Sequence, residues 1–282
     1  MSINLVVLLI LFAALSAFAQ SDLDKLVETE RSFAKMALEK NTRAAFLEFM
    51  SGDALVFIPD RANAKEFWTA RTENKSALVW APNYGDISSN GILGYTTGNW
   101  EFRPNGASDQ PSAFGNFVTV WLRQPSGKFR WVVDIGVGHE KPDTYSEQFT
   151  SLGSSSGGNP RHISAADTAN RFFELANSVG VAKAYSQFAN KNIRFFREGE
   201  VPAAGSDALL KRLKKYKGAF SFPKRTVFFE SDDLAYVNNT YRVISGDQEL
   251  EGGNFLQIWK FTGGRWQIVL DVFKPSRQLP SK

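Results

Sequence analysis

The side chains that could do chemistry in this 282-residue chain are few. His139 and His162 are the only histidines and there is no cysteine. With no His-Glu-x-x-His spacing either, there is no protein metal site to propose and no cofactor is expected. No Gly-x-Ser-x-Gly turn offers a nucleophile, and the Gly/Ser cluster near Ser155 follows no strand with the lysine a phosphate-cradling loop needs. What remains is carboxylates and aromatics. Asp134 closes a segment running from Gly115 through Trp121 and Gly127, and Asp271 closes the same segment a second time, from Gly253 through Trp259 and Gly264.

The chain is thus a tandem repeat, and comparing its copies sorts residues by use. Positions kept in both, such as Pro82 and Pro223 or Trp121 and Trp259, are architectural. Copy one alone has Trp68 and Trp80, where copy two has Leu209 and Ser221. It also has Asn99 and Glu101, where copy two has Thr240 and Arg242. Trp68, Trp80, Tyr95 and Asn99 read as an apolar lining with a few polar groups, the composition of a small-molecule pocket; core packing is the other use of each tryptophan. The recurrence of Asp134 as Asp271 argues for a role in the fold, such as pairing with Arg31 and Arg171. Strand alternation also sets Asp134 on the face shared with Arg130 and Val132, opposite Trp131, Val133 and Ile135. If that apolar set packs on helices, Asp134 points away from a pocket.

The elements that must position these residues repeat too. Ser21 with Asp24, and Ser164 with Asp167, cap long amphipathic helices. The comparison sets Arg31 and Phe33 opposite Arg171 and Phe173. A second short helix, a strand, a third helix and then aromatic-rich alternating segments follow in each copy. Helices before an antiparallel sheet make an α+β plan. The boundaries fall at 20–140 and 163–276, joined by a flexible linker over 141–162 that is rich in Gly and Ser.

Residues 1–19 read as a signal peptide. The run Leu5 to Phe18 is almost wholly apolar and ends Ala17-Phe18-Ala19, which implies cleavage before Gln20 and a periplasmic or extracellular protein, with an uncleaved anchor as the alternative. The net charge of +4 is mild. The Lys211–Lys217 basic run flanks apolar Leu209, Leu210 and Leu213, so it reads as the solvated face of a helix, and no nucleic-acid partner is expected.

The helix bearing Glu30-Arg31-Ser32-Phe33, the segment from Trp80-Ala81-Pro82 to Gly91-Ile92-Leu93-Gly94-Tyr95-Thr96-Thr97-Gly98, and the closing Gly127-Lys128-Phe129-Arg130-Trp131-Val132-Val133-Asp134 together carry a resemblance. Copy one resembles the SnoaL-like branch of the nuclear transport factor 2-like superfamily, within it a bacterial subgroup of unknown function, and copy two follows through the repeat. The resemblance implies two tandem cone-shaped domains, each a curved antiparallel sheet wrapped around helices and enclosing a pocket. It also implies a choice of roles that fold alone does not make. One is an exported protein binding a small apolar molecule in copy one. A second is an isomerase, dehydratase or cyclase with Asp134 or Glu101 as base and Tyr95 as donor to the oxyanion. A third is an assembly module whose sheets pair, within the chain or between two chains.

Overall fold

The computed structural model describes residues 21–146, 148–152, 163–223 and 227–276. The segment read as a signal peptide, His162 and the Gly/Ser stretch from Gly153 lie outside them. Helix α1 (Asp22–Glu39) starts where Ser21 and Asp24 satisfy each other's backbone N–H groups in a capping box. It is followed by α2 (Thr42–Phe49), β1 (Met50–Phe57), β2 (Arg61–Asn63), α3 (Ala64–Ala70), β3 (Ala77–Ile87), β4 (Leu93–Arg103), β5 (Ala113–Arg123) and β6 (Phe129–His139). The strands form one sheet in the order β2-β1-β6-β5-β4-β3.

The second unit repeats this with α4 (Ala165–Ser178), α5 (Val181–Phe188), β7 (Ala189–Arg197), β8 (Glu200–Ala204), α6 (Ser206–Leu213), β9 (Ala219–Ser221), β10 (Val227–Ser231), β11 (Leu234–Ser245), β12 (Gln248–Thr262) and β13 (Arg265–Pro275). Its sheet runs β10-β11-β12-β13-β7-β8, and β9 and β10, both paired with β11, together stand where β3 stands in the first unit. The architecture is the α+β plan of helices on curved sheets, in two tandem copies. The sheets are mixed rather than wholly antiparallel, because β1 runs parallel to β6 and β7 parallel to β13. No hairpin ties β1 to β6; the chain reaches that place from α2, and its direction is set there.

The helix register differs by one residue from the pairing read in the sequence. Leu26, Glu30, Phe33 and Ala37 are buried in α1, and Ala165, Ala169, Phe172 and Ala176 are buried in α4, each 139 positions on. Phe33 meets Phe46 and Trp121 edge-on at 4.8 and 6.0 Å, as Phe172 meets Tyr185 and Trp259 at 5.0 and 5.9 Å. Phe172, not Phe173, is therefore the counterpart of Phe33, and the capping Ser164 starts α4 one turn late.

Each sheet packs one face on its own helices and the other on the second sheet. Tyr95, Val118, Val133 and Ile135 of the first unit share one buried cluster with Phe196, Leu256, Ile258 and Val272 of the second. Lys260, paired with Asp233 of its own unit at 3.1 Å, reaches across this seam to Asp86 at 3.3 Å and donates to the Ile87 carbonyl. The Arg194 guanidinium lies 3.8 Å over the Tyr84 ring. Part of the expected linker is also tied down: Thr150 bridges Tyr84 at the β3 edge, and Leu152 packs on the seam. No helix among the described residues is long and apolar enough to cross a membrane.

Candidate functional site

In the first unit the helices do not fill the sheet's concave face. A cavity of about 350 Å³ remains, walled by Phe33, Trp68, Trp80, Trp100 and Phe117 and carrying Thr119, Asp134, Gly136 and Lys274. Trp68 is held by stacking on Phe46 at 4.2 Å and Trp80 by an edge contact with Phe33 at 4.8 Å. Trp100 lies flat against the sheet because residue 115 is glycine: a Cβ there would come within 2.3 Å of the indole.

Asp134 faces this cavity, contrary to the alternation expected for β6. Val120 pairs with Val133 but Trp121 pairs with Trp131, so Val132 is an extra residue in the ladder. This bulge resets the parity, placing both Trp131 and Asp134 on the helix side while Val133 and Ile135 join the seam. The carboxylate accepts one hydrogen bond, from the Thr119 hydroxyl at 2.9 Å, and Arg31 pairs instead with Glu28 on the surface. Burial pushes the Asp134 carboxyl up to about 6, with the Thr119 hydroxyl and Lys274 pulling the other way.

A second acid, which the sequence reading did not single out, sits behind the wall. Glu30 is fully buried and accepts from the Trp80 indole at 2.6 Å, the Thr96 hydroxyl at 2.6 Å and the Trp121 indole at 3.1 Å. Desolvation raises it to about 7, against the pull of these donors. Its signal was present as an acid within the apolar stripe of Leu26, Phe33 and Ala37 at helical spacing.

Tyr95, Asn99 and Glu101 do not join the site. Thr96 and Trp100 point to the helices, so period two sends 95, 99 and 101 to the opposite face of β4. Tyr95 is buried in the seam beside Tyr84, and burial holds its hydroxyl well above the usual phenol range. Asn99 accepts from the Asn116 amide at 2.8 Å, and Asn116 in turn lies 2.7 Å from the His139 ring. Glu101 is paired with Arg103 at 2.7 Å. Of the residues expected to bind or react, the structure gathers Trp68, Trp80 and Asp134.

The second unit shows what the same fold looks like with this space largely filled, a smaller recess of about 210 Å³ beside Arg197, Glu200, Glu251 and Phe273 being all that is left there. Where the first unit has Glu30, Trp80 and Thr96, it has Ala169, Phe222 and Val237 in an apolar core, and the buried Trp259 indole N–H has no partner among the described residues. Ser221 pairs with Arg242, so Phe222 and not Ser221 stands level with Tyr241 as Trp80 does with Trp100. Ile58 and Gly136 become Arg197 and Phe273. The Arg197 guanidinium pairs with Asp271 at 2.7 Å and lies 4.1 Å over the Phe273 ring, filling most of the place of the cavity. A broader depression of about 620 Å³ lies in the second unit beside Phe222, Pro223 and Tyr241, with Asp60, Thr240, Arg242 and Glu249 at its polar side. No cluster of three His, Asp or Glu side chains suited to a metal occurs among the described residues.

No protein-family model matches the chain, and no curated protein matches it. Solved structures do. An NTF2-like protein of unknown function from Shewanella oneidensis is 21% identical with TM-score 0.33, over 39% of this chain and 98% of its own. A protein of unknown function with a cystatin-like fold from Nostoc punctiforme is 14% identical with TM-score 0.34, over 41% and 90%. An NTF2-like protein of unknown function from Pseudomonas putida is 14% identical with TM-score 0.35, over 41% and 86%. Each likeness spans about one unit.

Proposed function

We propose that the first unit binds a small, largely apolar molecule in the Trp68–Trp80–Trp100 cavity, with the Asp134 carboxyl as its polar anchor, and that the second unit is its scaffold. The observation that carries this reading is the contrast at one position of the fold. Asp271 is paired with Arg197 in a packed core, whereas Asp134 stands in an aromatic-walled space with one hydrogen bond, from a hydroxyl, and no ion pair among the described residues. A sheet gains nothing in stability from a desolvated carboxyl beside an unfilled cavity, and such arrangements mark binding sites.

A second reading, proton transfer on a small hydrophobic substrate, is favoured by the Asp134 carboxyl being pushed up to about 6, where it can exchange a proton near neutral pH. Tyr95 and Glu101 take no part in it. The seam between the sheets supports pairing within one chain and uses the faces a homodimer would need. The apolar run before Gln20 supports an exported protein.

The test is a thermal-shift and native mass-spectrometry screen of the purified chain against small aromatic and alicyclic compounds. Ligands are expected to bind one per chain and to lose at least about tenfold in affinity in Trp68→Ala. Hits that bind twice per chain, or that ignore Trp68→Ala, would sink the reading.

A further inference from the structure

One wall of the cavity belongs to the second unit. Beyond Phe57 and Ile135 the β1–β6 ladder stops, and into that gap comes Lys274 from β13. Its ammonium donates to the Gly136 carbonyl at 2.5 Å and pairs with Glu198 at 3.2 Å. Glu198 is itself anchored by the Gly138 N–H at 3.1 Å, so the lysine is held in place rather than waving in solvent. Its side chain is only 15% exposed.

An ammonium has three donors, and two of these are committed. The third is left for the cavity that Lys274 lines. An apolar ligand filling this space would strip water from that N–H and leave a charged donor without a partner, a costly outcome. The ligand must bring an acceptor, and an ionised one makes the stronger bond. Among the described residues Lys274 is the one cation on the cavity wall and Asp134 the one acid, one pleat repeat along β6 from Gly136. An anionic group is therefore drawn to the Lys274 end and kept off the Asp134 end.

We infer that the ligand of this cavity is a carboxylate carried on an aromatic or alicyclic body, and that Lys274, supplied by the second unit, selects it. The inference rests on the cavity being a binding site, and it gives the tandem arrangement a use: the first unit alone lacks the residue that reads the anion.

The experiment compares 1-naphthaleneacetate with 1-naphthaleneacetamide, which share one body and differ in charge, by tryptophan fluorescence titration of the full chain. It is run at pH 5.5, where Asp134 largely holds its proton. The acid is expected to bind at least about tenfold tighter than the amide in the wild type. In Lys274→Met that preference falls to within about twofold, the melting temperature of the variant certifying its fold, and Lys274→Arg restores it. Equal binding of acid and amide by the wild type, or a preference that survives Lys274→Met, overturns the inference and leaves the pocket standing. Binding of neither compound overturns both.

Discussion

Replacing Glu30 with alanine is expected to lower the free energy of unfolding by about 3–5 kcal/mol, the cost of leaving several buried donors without an acceptor. Trp80, Thr96 and Trp121 all donate to this one carboxylate, at 2.6, 2.6 and 3.1 Å, and no cation among the described residues takes part. Glu30→Gln keeps an acceptor and is expected to cost only about 1–2 kcal/mol. The two variants also separate by pH. Burial raises the carboxyl from 4.5 to about 7, so the folded chain holds a proton that the unfolded chain has released. Stability therefore falls as pH rises from 4.5 through 7, by about 2–3 kcal/mol between pH 5 and 8 from this group. Urea unfolding followed by tryptophan fluorescence should show that slope in the wild type, and Glu30→Gln should lose that share. An Ala variant within about 1 kcal/mol of the wild type would contradict the account.

The two repeated aspartates are expected to respond to mutation with opposite sign. Asp271→Ala leaves the buried Arg197 guanidinium unpaired and should destabilise the chain by about 3–5 kcal/mol. Replacing both partners with apolar residues, Arg197→Met with Asp271→Leu, should recover most of that loss. Asp134 has no such partner, and its carboxyl is raised from 3.8 to about 6. Folding is penalised by its charge above that range, so Asp134→Asn should stabilise the chain by about 1–2 kcal/mol at pH 7.5 and by little below pH 4. Unfolding curves at the two pH values decide the matter. A loss of stability in Asp134→Asn at pH 7.5 would mean that this acid serves the fold, as Asp271 does.

The repeat, the capped helices and the strand pattern could be read along the chain because each rests on local rules: a cap within three residues, alternation within five. Side-chain direction could not be read so far. One extra residue, Val132, turned Asp134 from the seam to the cavity, and a bulge leaves no mark in composition. The helix offset slipped because Phe172 and Phe173 are adjacent phenylalanines and both are buried. Tyr95, Asn99 and Glu101 looked like site residues as members of an aromatic, polar strand, yet their parity places them on the face the second sheet covers. Lys274 could not be anticipated at all, since its role arises from how one unit docks on the other. Trp68 differs plainly from its counterpart Leu209 along the chain, whereas Trp80 stands opposite another aromatic, Phe222, and the contrast of Glu30 with Ala169 is hidden by the one-residue helix offset.

The cavity of the first unit is the working site, and in the second unit Arg197 and Phe273 take up most of the matching space. Gly136→Phe puts the second unit's residue into the first unit's cavity. A Cβ at Gly136 meets nothing closer than 3.4 Å, so the backbone accepts the change and the ring is left to occupy the space. Fluorescence titration with 1-naphthaleneacetate should show one site in the wild type and a loss of at least about a hundredfold in affinity in Gly136→Phe, at unchanged or higher melting temperature. Undiminished binding by a folded Gly136→Phe chain would contradict the claim and place the ligand elsewhere.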